Sequence, residues 1–79
     1  MDRLELYKRI KDFAYSLILR EIPLLNSLEA SIYAAQLTKL VMESKSLEEE
    51  KLKEEIIKYV INLRDNIFSK FSSLEGKGG

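Results

Sequence analysis

The densest run of groups able to do chemistry is Glu48-Glu49-Glu50-Lys51-Leu52-Lys53-Glu54-Glu55. Clustered carboxylates can hold a hard cation or exchange protons. Carboxylate di-iron sites take Glu from several helices together with Glu-x-x-His pairs, and this chain has no histidine. Calcium loops draw on Asp and Asn around a glycine turn, whereas this stretch is patterned as helix. The run therefore reads as the negative first turn of a helix, favoured by the helix dipole, with Glu49 and Lys53 spaced as an i,i+4 pair. No metal and no cofactor is expected.

A second group, Arg3, Lys8, Arg9 and Lys11, could touch phosphate. Helical geometry splits it, because Arg9 falls about 100° from Lys8 and about 160° from Lys11. Glu5 and Asp12 dilute it further, and Glu5 is spaced to pair with Arg9. Thirteen basic and thirteen acidic residues give a formal net charge of zero. Nucleic-acid-binding domains usually carry a basic surplus, since releasing counterions from phosphate supplies much of their affinity. A small dimeric DNA-associated regulator using these four residues is the alternative reading, disfavoured by this balance.

Covalent chemistry has little to work with. Cysteine and histidine are both absent, which removes thiol nucleophiles and His-dependent triads. The serines fall at helix caps, turns or helix surfaces with no evident activating base. The chain is expected not to be an enzyme and to have no small-molecule substrate. The composition, 33% charged and without Cys or His, resembles that of heat-adapted proteins. No apolar run approaches the roughly 18 residues of a membrane span, and no secretory signal opens the chain. A cytoplasmic location without membrane association is expected.

Three helices must position these groups. The first is expected from about Asp2 to Glu21, with Leu6, Tyr7, Ile10, Phe13, Ala14 and Leu17 on one face. Pro23 ends it by disfavouring the helical conformation of Ile22. Asn26 and Glu29 are spaced as a capping box opening a second helix to about Glu43, and Ser46 with Glu49 repeats that spacing for a third. The third helix is expected to run to about Ser72, with a main seam of Leu52, Ile56, Tyr59, Val60, Leu63, Ile67 and Phe71. Residues 1–74 then form a single helical domain and 75–79 a flexible tail. The fold class is all-α, an antiparallel three-helix bundle with a long third helix.

The second helix is apolar on two sides. Ala30, Tyr33, Ala34, Leu37 and Val41 form one stripe, and Leu28, Ile32, Ala35 and Met42 form another. A surface helix of a lone domain needs only one. Tyr15, Ile18, Leu19 and Ile22 widen the apolar arc of the first helix, and Ile57, Ile61 and Phe68 flank the seam of the third. Tyr15, Ile18, Leu19, Ile22, Leu28, Ile32, Ala35, Ile57, Ile61 and Phe68 are therefore the expected partner interface. The expected function is a non-catalytic protein–protein interaction module, a small accessory subunit or adaptor. Its partner is another protein or a second copy, with dimerisation through the surplus faces.

Overall fold

The computed structural model describes residues 2–43 and 47–78, with 73–78 as backbone only. Helix α1 spans Arg3–Glu21, α2 spans Ser27–Met42 and α3 spans Glu49–Gly78. The Asp2 side chain caps α1 by accepting from the Glu5 amide at 2.8 Å. Ile22 leaves the helical region (φ −128°, ψ 73°) immediately before Pro23, as the proline ring demands. The capping box at α2 is fully formed. The Glu29 amide donates to Asn26 Oδ1 at 2.8 Å, and the Asn26 amide donates to Glu29 Oε1 at 2.9 Å. The box expected at Ser46 lies outside the described residues.

Helix α3 differs from expectation at its end, continuing past Ser72 to Gly78 through positions read as a loose tail. Each added helical residue gains a hydrogen bond once the helix exists, and no proline stands in the way. Glycines at 76 and 78 cost about 1 kcal/mol each relative to alanine, which weakens propagation without forbidding it.

The Arg3 guanidinium donates to the Met42 carbonyl at 3.3 Å, tying the start of α1 to the end of α2, so these helices run antiparallel. Arg9 meets Glu49 and Glu21 meets Arg64, so α1 and α3 point the same way. The bundle is thus up-down-up, with α1 packed on both neighbours and α2 touching α3 least. At 1.5 Å per residue α1 is about 28 Å long and α3 about 45 Å. The long axis of the molecule is 53 Å, because α3 overshoots the other two. No described helix is long and apolar enough to cross a membrane.

Ile10, Ile18, Ile22, Val41, Leu52, Ile56 and Val60 are fully buried, with Ala14, Ala30 and Ala34 where helix backbones approach. This corrects the placement of Ile18 and Ile22 on an outward face. Helix α1 lies between two neighbours, so the Ile18 and Ile22 part of its wide apolar arc is covered within the protomer while Leu19 stays exposed. Met42 is likewise buried rather than part of an outer stripe. Tyr59 and Phe71 shift the opposite way and stand exposed. Tyr59 sits to one side of the Leu52–Ile56–Val60 line, and Phe71 lies beyond the reach of α1 and α2. Thr38, the one buried polar residue of the described core, donates from Oγ1 to the Ala34 carbonyl at 2.6 Å.

Ile56→Ala should cost about 2–5 kcal/mol, the range for buried Ile truncations. That is comparable to the whole net stability of about 3–5 kcal/mol for a core of this size. Urea titration should show the variant largely unfolded without denaturant. Thr38→Val should stay within about 1 kcal/mol, because the Ala34 carbonyl keeps its backbone donor. A large loss would show that the hydroxyl bond is essential.

Candidate interaction surfaces

The expected interface residues that remain exposed fall on two separate faces. The register set by Arg3 and Met42 brings Tyr15 and Leu19 level with the first turns of α2. There Leu28 stands 68% exposed and Ile32 49% exposed, with Leu19 exposed and Tyr15 and Ala35 half-buried. These five make the α1/α2 face. Fully burying a Leu or Ile side chain is worth about 1.5–3 kcal/mol, so leaving several in water forgoes a sum similar to the stability of the domain.

The second face follows the groove between the parallel helices α1 and α3. Phe13 and Leu17 of α1 and Ile57 and Ile61 of α3 line a shallow cavity of about 330 Å³, closed at one end by Arg20 and Glu21. The Lys53 ammonium lies 5.4 Å from the centre of the Phe13 ring, within cation–π range. Ile57, Ile61, Arg64, Phe68 and Phe71 continue the face along α3 at alternating steps of four and three, a heptad seam distinct from the one packed on the core. Phe68 and Phe71 are exposed on the overshooting turns, the latter at 49%. Leu17, a core residue as expected, and Phe13, partly buried against the same core, form the groove floor. The spacing of Phe71 three residues after Phe68 was the available signal for this seam.

An ion network crosses the middle of this face. Arg20 Nε lies 3.3 Å from Glu21, Arg64 Nη1 lies 2.9 Å from Glu21, and Arg64 Nε lies 3.4 Å from Asp65. Farther along, Arg9 forms a two-pronged contact with Glu49 at 3.1 and 3.2 Å, and Lys53 approaches Glu49 at 3.2 Å. Hydrogen bonds from Arg9, then from Lys53, hold the Glu49 carboxyl below its ordinary range, and the same contact raises Arg9. The local spacing to Glu5 is thus overridden by a partner on α3. A planar guanidinium matches a carboxylate with two parallel donors.

The basic residues of the nucleic-acid alternative are dispersed. Arg3 is held by a carbonyl and Arg9 by Glu49, while Lys8 is exposed and Lys11 half-buried. In the acidic run Lys51 pairs with Glu48 at 3.5 Å. Among the described residues no group of three or more carboxylates is arranged to hold a metal ion. An open cleft of about 590 Å³ lies between the start of α1 and the end of α2 beside Arg3, Leu4, Tyr7, Lys39, Met42 and Glu43. Compared with known proteins, the chain matches no family model, no curated sequence and no solved structure.

Because the Glu49 pKa is depressed on folding, its stabilising contribution is present above the ordinary carboxylate value of 4.5 and disappears as pH falls through the folded value. Thermal melts across the acid range should show Glu49→Gln losing less stability than the parent as pH is lowered. Parallel curves for the two proteins would mean that the Arg9–Glu49 contact contributes nothing in solution.

Proposed function

We propose that this protein is a non-catalytic interaction module, a small accessory subunit or adaptor that works by being covered. The observation carrying this reading is the coexistence of a sealed core with two apolar faces left in water. The α1/α2 face offers Leu19, Leu28 and Ile32 as anchors for a second apolar surface, and the α1/α3 face offers a groove with an aromatic extension. Apolar burial supplies the affinity, at about 25 cal/mol per Å² before the costs of association. The charged residues between the anchors set which partner fits.

Exposed positions can be changed without disturbing the core. Leu19→Glu and Ile32→Glu should therefore retain the helical circular dichroism of the parent. Cross-linking followed by affinity recovery from the native host should yield a stoichiometric companion with the parent, another protein or a second copy. The Leu19→Glu Ile32→Glu double variant should recover it at least about 30-fold less well, the loss expected of anchor residues. Equal recovery by parent and variant, or no companion for either, would contradict the reading.

A further inference from the structure

We infer that the α1/α3 face is a self-association surface, on which two copies pair with their α3 helices antiparallel. This rests on the interaction-module reading and assigns an occupant to one of its two faces. The face is self-complementary in shape. A cavity floored by Phe13, Leu17, Ile57 and Ile61 lies on one side of Arg64, and two exposed aromatic side chains, Phe68 and Phe71, lie on the other. Ile57 and Phe71 stand seven residues before and after Arg64, so they are equally distant from it along the helix. A two-fold axis passing beside Arg64 and perpendicular to α3 places Phe71 of each copy over Ile57 of the other. It brings Phe68, four residues after Arg64, to within one residue of the level of Ile61, three before it. Both overshooting ends then enter both cavities at once, which is the closed arrangement that a homodimer requires.

The charges agree with this pairing. Arg20, Glu21, Arg64 and Asp65 form a network of alternating sign, neutral as a set, at the level of the axis. Rotation by half a turn brings this quartet against its own copy, and the guanidinium groups of one can meet the carboxylates of the other. A foreign helix would have to match a neutral alternating pattern by other means, whereas a second copy carries the complement already. Zero formal net charge leaves no long-range repulsion between the copies. The arrangement also explains the length of α3. Beyond Ile67 the described side chains, Phe68 to Ser72, stand exposed, and these turns have the reach to cover the groove of the next copy.

Sedimentation equilibrium of the full chain should show a monomer–dimer equilibrium, and Phe68→Glu should raise its dissociation constant about 30-fold or more. Gln36→Glu, on the outer side of α2, should leave that constant unchanged. Phe68 is exposed, so retained helicity separates lost association from lost folding. The chain has no cysteine, so Ile57→Cys and Phe71→Cys each introduce a single thiol. Mild oxidation of an equimolar mixture should give the mixed 57–71 disulfide in preference to either like pair. A parent that stays monomeric up to about 1 mM overturns the inference, since association that weak is no better than a chance contact. So does a dimer that tolerates Phe68→Glu, or one that oxidises to 57–57 pairs as readily as to mixed ones. A monomeric parent whose companion is still lost with the Leu19→Glu Ile32→Glu variant would remove the dimer and leave the module reading standing.

Discussion

Three helices can share a core only over the length of the shorter ones, and here α3 exceeds both its neighbours. Leu52, Ile56 and Val60 are sealed where α1 and α2 flank them, and Leu63 and Ile67 are half-covered near the Pro23 turn. The described side chains from Phe68 to Ser72 are all exposed. An isolated stretch of helix this short is marginal in water, since most helical stability in proteins comes from tertiary packing. The mismatch in length therefore both creates an exposed apolar end and gives that end a reason to find cover.

The ion pairs place the helices more than they hold them. Partly exposed pairs contribute about 0–1 kcal/mol. Yet Arg9 on Glu49 and Arg64 on Glu21 span the α1/α3 interface at two levels, and Arg3 on the Met42 carbonyl pins the α1/α2 interface at its far end. A slip of one turn along α3 would break both α1/α3 contacts. The same contacts occupy cations that an anionic ligand would need, leaving the surface neutral and patterned. Such a surface gains little from distant electrostatic attraction and much from close fit, which suits an interaction settled by shape and apolar contact.

Helix order, the Asn26 cap and the stop at Pro23 are local matters, and they were legible because each depends on neighbours within four residues. The inner face of α3 was legible through Leu52, Ile56 and Val60. Ile18 and Ile22 were misplaced because the width of an apolar arc does not say how many neighbours a helix has. Helix α1 has two, and both sides of its arc are used. Phe71 was assigned to the core because periodicity continues past the point where the partners end. The redirection of Arg9 from Glu5 to Glu49 and the joining of Phe13 and Leu17 to Ile57 and Ile61 depend on the register between helices, which spacing along one chain does not encode. Leu19, Leu28 and Ile32 were read correctly as outward because no second neighbour reaches them.

The described residues present two apolar faces, a neutral charge network and a third helix longer than either of its neighbours. Its central consequence concerns the turns of α3 beyond Ile67, whose stability should come from outside the protomer. Amide hydrogen exchange at residues 68–72, followed across a dilution series, tests this most directly. The account predicts protection that rises with protein concentration while exchange at the core amides of Ile10 and Ile56 follows the global stability. Exchange at 68–72 that is fast and independent of concentration, with the native companion present or absent, would contradict it.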